Sequence, residues 1–489
     1  MRRAAVLAAF TVALLGGATS ASAADVGAND DSAKFAADAG SAMYAEMTAV
    51  GLRQTVMGIR FKPSEPLLIQ DKEQLDRAIP SAVSAGLRVV LAIYPYPPRE
   101  IEAGLGSPAA FGAYVSTIAR AFPQVQQYVI GNEPNQPAFW RPQFRKSGAN
   151  ASAAAFGRYL AAGYDALKAI DPALKVVGIG LSPRGNDKPN AKSNVSTSPI
   201  RFLRALGTWY RASGRALPLM DAFSFHPYPN RATDPLDRGY GWPNAGFVNL
   251  GRVKQALWDA FHGTAQRTTV NGLKLHLDEI GWQVDTSRRS GYFGAENVPV
   301  TDEFTQAGIY GDLIRRAACD PDVDSVSFFG FRDDGARTGF QAALHRADGT
   351  ARPAADAVRE AIEETAAGCP GVEVSWTPSE EVLGAQAAFG VVSAGAATVR
   401  VRAGEDARAS VCARSLGNRS GKWSNRLARV AAELAGRRCT SAIVGLKAVG
   451  MAIDVAGMPP GVLELTVELR AEANPARKTV LFEESLLRA

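Results

Sequence analysis

Histidine is nearly missing from this chain: His226, His262, His276 and His345 are all that 489 residues contain. They are scattered, with no spacing that would clasp a metal ion, so neither a metal nor an organic cofactor is expected. Cysteine is equally sparse. Cys319, Cys369, Cys412 and Cys439 include no C-x-x-C pair and no histidine nearby, which removes the common zinc arrangements and leaves disulfides. Four cysteines allow three pairings. Joining neighbours, Cys319 with Cys369 and Cys412 with Cys439, keeps each bridge within one domain. Strong charge is also absent. The formal net charge is +6 and is spread evenly, which gives no grounds for a nucleic-acid partner. The first apolar segment is followed by GANDDSAKF, with no G-x-G-x-x-G to cradle a dinucleotide.

Long apolar runs are confined to the start. Arg2 and Arg3, the apolar stretch 4–15 and the small residues Ala21, Ser22 and Ala23 have the layout of a secretory signal occupying 1–23. The apolar part is shorter than the roughly 20 residues a membrane span requires. Removing the leader takes away two arginines and lowers the net charge from +6 to 6 − 2 = +4. The expected product is exported, to the extracellular or periplasmic space, with no membrane attachment, and disulfides are compatible with that compartment.

What is present is a rhythm. Short apolar runs at 25–29, 53–61, 88–96, 125–133, 174–182, 219–227, 273–282 and 323–331 alternate with amphipathic stretches such as AAFGAYVSTIARAF and RVKQALWDAFHGTA. The apolar positions of those stretches recur every three or four residues. Eight strand–helix units in residues 24–369 predict a (β/α)8 TIM barrel. From 370 to 489 the pattern changes to short alternating runs with glycine-rich turns, including VEVSWTP, AATVRVRAG, ARASVCARS, TSAIVGLKAVG, MAIDVAG and GVLELTVELRAE. These predict a small C-terminal β-sandwich, with LARVAAELA as one short helical piece.

In such a barrel, chemistry sits at the C-terminal ends of the strands. The fourth run ends in GNEP, with Asn132 and Glu133, and the seventh ends in DEIGW, with Glu279. The fourth and seventh strands face each other across the mouth. Two carboxylates so placed suit glycosidic cleavage, in which one donates a proton to the departing oxygen and the other attacks the sugar carbon. Asp278 precedes Glu279, so strand alternation turns it away from the site.

With these residues in place the chain looks like glycoside hydrolase clan A, the retaining (β/α)8 enzymes, with cellulase-like family 5 and xylosidase-like family 39 as neighbours. The resemblance covers about residues 25 to 365, through architecture and short motifs. It implies that Glu133 is the acid/base and Glu279 the nucleophile. It further implies that Arg60, closing the second strand, lies beside the nucleophile, and that Asn132 bonds a sugar hydroxyl. His226 and Tyr228 of FSFHPYP would contact sugar or orient the nucleophile. Relatives carry a tryptophan after the eighth strand; here Phe331 or Arg332 stands in that area.

Aromatic faces pack on sugar rings, and Tyr94, Tyr96, Trp140, Trp242 and Trp282 fall on or just after strand ends, as candidates for substrate contact. Trp209 and Trp258 fall in helical stretches and are assigned to the core. Trp376 and Trp423 are the aromatic candidates of the C-terminal domain. The connections 135–150, 183–199, 229–247 and 283–302 are long for this fold; they suggest a walled pocket that releases a mono- or disaccharide. Arg141, Arg145, Lys146, Arg184, Lys188 and Lys192 make two of these loops basic, either as a solvated rim or as a site for a substrate bearing carboxylate or sulfate. The expected partner is an oligosaccharide, polysaccharide or glycoside. The alternatives are an endo-acting hydrolase and a carbohydrate-binding protein without catalysis on the same barrel.

Overall fold

The structure is a computed structural model and describes residues 24–390, 395–417, 436–458 and 461–487. The expected leader, Trp423 and the stretch LARVAAELA lie outside these residues. Eight strands pair in parallel in chain order: β1 (Asp25–Asn29), β2 (Gln54–Phe61), β3 (Arg88–Pro95), β4 (Gln127–Ile130), β5 (Lys175–Leu181), β6 (Ala222–Phe225), β7 (Lys274–Ile280) and β8 (Val323–Phe329). β8 closes on β1, with Ala28 opposite Phe328, so the sheet is the expected barrel. Around it run α1 (Ser41–Val50), α2 (Lys72–Ser84), α3 (Pro98–Glu102), α4 (Pro108–Ala121), α5 (Ser152–Ile170), α6 (Pro199–Ala212), α7 (Leu250–Phe261), α8 (Glu303–Ala318) and α9 (Pro353–Thr365).

The alternation of side chains explains how both sheet faces are buried. Val56, Val90, Val129, Val177 and Ala222, from five successive strands, form an apolar layer of their own. Leu91, Ile93, Ile130, Val176 and Ile179 belong to the main core with the helices. Each such side chain fully removed from water contributes roughly 1.5–3 kcal/mol. Helix starts are fixed locally. Ser107 accepts the Ala110 N–H ahead of Pro108, and Asp302 accepts the N–H groups of Phe304 and Thr305, which satisfies donors a first turn leaves free. His276 sits inside the barrel among Gln127 and Ser325.

Several strands stop earlier than the apolar runs suggest. β4 ends at Ile130 and β6 at Phe225, so the motifs GNEP and HPYP occupy the first residues of the loops.

Beyond α9, β9 (Gln386–Phe389), β10 (Ala396–Arg402) and β13 (Val449–Asp454) form one antiparallel sheet. β11 (Ala407–Gly417), β12 (Arg437–Val444), β14 (Gly461–Ala471) and β15 (Lys478–Leu487) form a second. They share a core that includes Val399, Val411, Leu465 and Val467, the sandwich expected. The segment 372–378, read as a strand, is not one. It lies along the barrel instead, with the Val374 N–H donating to the Cys319 carbonyl at 2.7 Å. Both expected bridges are present. Cys319–Cys369 ties the end of α8 to the chain after α9, and Cys412–Cys439 joins directly opposed residues of β11 and β12.

The two parts meet through charge. Arg477, 1% exposed, pairs with Asp259 of α7 at 2.9 Å and with Glu405. Burial, opposed by Arg477, pushes Asp259 up to about 6. Arg201 of α6 pairs with Asp406 at 3.0 Å.

Candidate active site

The end of β4 is built around one glycine. Gly131 has φ of 118°, and a β-carbon there would stand 2.4 Å from the Ile179 carbonyl oxygen and 2.6 Å from the Phe156 ring. Its N–H still donates to Ile93 O at 2.9 Å, so the turn stays attached to the barrel. Glu133 follows with φ of 40° and donates its N–H to Gly180 O at 2.6 Å. A non-glycine residue seldom adopts that conformation unless its surroundings hold it there. Asn135 supplies the hold: its side chain accepts the Ser182 N–H and donates to the carbonyls of Ser182 and Thr197. The Gly131→Ala variant is expected to lose about 3 kcal/mol of stability, measured by urea unfolding, and to lose activity more steeply than stability because Glu133 moves with the turn.

β7 presents its acid by breaking the alternation. Leu275, Leu277 and Ile280 join the core with the helices, while His276 and Asp278 contact polar groups within the barrel. Glu279 would then face outward, but the register of β7 against β8 slips between Leu277 and Ile280. One extra residue is accommodated, as in a bulge, and Glu279 turns to the mouth. Asp278, set aside by the alternation argument, therefore also reaches the site from below: its carboxylate accepts Ser224 Oγ at 2.5 Å and lies 3.5 Å from His226 Nε2.

His226 joins the acids. Its Nδ1 is 3.2 Å from Glu133 Oε1 and 3.4 Å from Glu279 Oε2, and the Glu133, His226 and Glu279 ligand atoms all lie within 4.8 Å of one another. Tyr228 donates its hydroxyl to Glu279 Oε2 at 3.2 Å, and Asn29, the last residue of β1, donates to Oε1 at 3.1 Å. Burial opposes a charge on His226, yet Glu279, Asp278 and Glu133 together outweigh it and push the imidazole up to about 9. Burial lifts Glu279 to about 7 against the pull of His226, with the negative charges of Glu133 and Asp278 adding to the rise. The Tyr228 hydroxyl is held well above its ordinary value by burial and by the same two glutamates, so it remains a donor. The Glu133 and Glu279 side chains are 17% and 14% exposed, open enough to be reached from the mouth.

The remaining sequence candidates divide. Asn132 adjoins Glu133 and is partly exposed. Arg60 does not stand beside Glu279: its guanidinium donates to Tyr94 at 3.4 Å and lies over the Tyr96 ring at 4.9 Å. The cation next to Glu279 is His226. Tyr94 and Tyr96 are partly exposed and pack edge to face. Trp140 is core, 2% exposed between Phe156 and Tyr159. Trp282 is also buried, its indole N–H given to Asp234 O at 2.8 Å and its ring against Tyr310. Trp242 packs under Arg201 where the barrel meets the C-terminal sheets, away from the acids. Trp209 packs on the core as expected and Trp258 stacks on His262. After β8, Phe331 is buried and Arg332 pairs with Glu46; Phe329 is the residue that meets Tyr228, together with Phe340. Asn29, Phe329, Phe340 and Phe139, which packs on Tyr94, were not singled out from sequence. Only Asn29 carries a sequence signal, its place at the end of β1.

Among the described residues, Glu133, His226 and Glu279 are the one cluster of histidine, cysteine and acidic groups close enough to hold a metal ion. No helix among the described residues is long and apolar enough to cross a membrane.

No protein-family model matches the chain, and no curated protein matches it. Solved structures similar to it include a family 39 glycoside hydrolase from the gut symbiont Bacteroides cellulosilyticus WH2, at 14% identity and a TM-score of 0.47, over 80% of this chain and 70% of that one. A glucosidase from Croceicoccus marinus is similar at 13% identity and 0.47, over 89% and 94%. GH5_18 from Streptomyces cattleya in complex with GlcNAc is similar at 16% and 0.48, over 74% and 84%.

Proposed function

We propose that this chain is an exported, retaining β-glycoside hydrolase of the clan A kind. The observation that carries the reading is the pair of carboxylates at the ends of β4 and β7, with oxygens within 4.8 Å of each other. Retaining enzymes hold their two carboxyls about 5–5.5 Å apart, whereas inverting ones leave roughly 6.5–9.5 Å for a water. Glu279 attacks the anomeric carbon as a carboxylate while Glu133 gives its proton to the departing oxygen. The resulting ester is cleaved when Glu133 takes a proton from water and the hydroxide displaces Glu279. Asn29 and Tyr228 hold the two oxygens of Glu279, and His226 balances the charge between the acids. Asn132 is assigned to the hydroxyl beside the reacting carbon. Tyr94, Tyr96 and Phe329 are assigned to sugar faces, with Arg60 fixing the tyrosine pair.

The walls of the mouth favour a pocket and release of a mono- or disaccharide. The loops after β7 and β8 are tied by Arg337 to Thr286 and by Asn297 to Thr338, and those after β5 and β6 by Arg184 to Asn230. The test is incubation with a panel of aryl β-glycosides and glycans, followed by NMR of the first product formed. Retained configuration is expected. An inverted product would end the double-displacement reading, and binding without turnover of any member would favour a carbohydrate-binding protein.

The pH profile follows from the charges. Glu279 must be ionised to attack, so kcat/KM is expected to fall as pH drops through about 7. His226 favours the ionised form of Glu279; in the His226→Asn variant the carboxyl rises and this limb moves to higher pH, by roughly one unit. An unshifted limb would mean that His226 does not carry the compensating charge.

A further inference from the structure

The loops after β4 and β5 enclose a second cleft, of about 470 Å3, separate from the acid pair. It begins one turn beyond Glu133, where the Gln136 N–H donates to Glu133 O, and Pro137 forms part of its lining. Its apolar surface comes from Phe144, Val195 and several prolines. Its charge comes from Arg141, Arg145 and Lys146, against the single carboxylate of Glu102. Among the described residues none of these three cations has a carboxylate within 4.0 Å. Arg141 uses one N–H on Pro137 O at 2.8 Å, and Arg145 and Lys146 are exposed. An apolar floor with unpaired cations at its edge suits a sugar ring that carries an anion. Guanidinium groups bind planar carboxylates through paired N–H bonds, and sulfate in a similar way.

We propose that the cleft between the loops following β4 and β5 is a subsite for a carboxylate- or sulfate-bearing sugar unit of the substrate. It lies on the Glu133 side of the mouth. A proton donor faces the departing oxygen, so the anionic unit belongs to the leaving-group part of the chain. The proposal rests on the glycosidase reading for that polarity, whereas the binding itself does not require turnover.

The test uses the full chain with Glu279→Gln, titrated calorimetrically at low ionic strength. One arm compares hexuronate-containing oligosaccharides with the same compounds after carboxyl reduction. The other compares sulfated oligosaccharides with their desulfated forms. In at least one arm the anionic member is expected to bind about tenfold more tightly, and the advantage should shrink with added salt. The Arg145→Ala/Lys146→Ala variant should bring the ratio below about threefold, and Arg145→Lys/Lys146→Arg should keep it. Equal binding in both arms, or a preference that survives the alanine pair, overturns the subsite. Turnover of neutral aryl glycosides by the unsubstituted protein separates the two failures: turnover without anion preference sinks only the subsite, and anion preference without turnover of any glycoside sinks only the catalytic reading.

Discussion

Replacing Glu279 by alanine is expected to reduce kcat on an aryl β-glycoside by roughly 10^3- to 10^5-fold, the loss typical when a covalent nucleophile is removed. Azide should recover part of it. A small anion can enter the space left by the carboxylate and attack the anomeric carbon directly, from the face Glu279 used. Because that is one displacement instead of two, the glycosyl azide formed should have the configuration opposite to the substrate. Glu279→Ala leaves the Asn29 and Tyr228 donors without the carboxylate they bond. A stability change of about 1–3 kcal/mol, small beside the loss of turnover, is the expected combination. Activity that persists in Glu279→Ala would remove the nucleophile assignment altogether.

The second large effect should come from Glu133→Ala, and it should depend on the leaving group. General-acid assistance contributes about 10^2- to 10^4-fold, and a dinitrophenolate leaves without it. Glycosides of acidic phenols should therefore still form the ester, which then accumulates because no base activates water. A burst followed by slow turnover would be seen by stopped-flow absorbance, and alkyl glycosides would hardly react. Azide should again react, now with the ester, and the product should keep the configuration of the substrate. Opposite product configurations in the Glu133 and Glu279 variants would assign the two roles independently of any resemblance. Equal sensitivity of good and poor leaving groups would deny Glu133 the acid role.

The barrel is legible in the sequence because both sheet faces are covered. Runs such as RVVLAIYP have no polar alternation to confuse them with an exposed strand, and the first run, 25–29, coincides with β1. The rim position of Glu133 is legible for a related reason, since it follows an apolar run directly, whereas that of Glu279 depends on the register slip beside it. The failures have local causes. Alternation misassigns Asp278 because the register slip beside it leaves no mark in residue types. The tryptophans mislead because a strand end fixes where a residue leaves the sheet, and the following turn decides whether its ring goes to solvent or folds back. Trp140 and Trp282 both fold back. Arg60 sits where expected along β2, but its long side chain takes the nearby tyrosine pair, a choice made by neighbours distant in sequence. β9 and β15 escape notice because QAAF is only four residues long and KTVLFEESLL alternates weakly.

The junction at Arg477 bears on how the protein can be dissected. Asp259 lies on α7, the helix that leads into the strand bearing Glu279, and its counter-charge comes from beyond the barrel. Trimming the chain after α9 would remove that cation together with residues that cover Asp259, Arg477 and Glu405 among them, and would open this face of α7 to water. The C-terminal sheets thus cover one side of the barrel. A shortened version would be a weakened scaffold, and its failure to act on a glycan would say little about which part of the chain touches sugar.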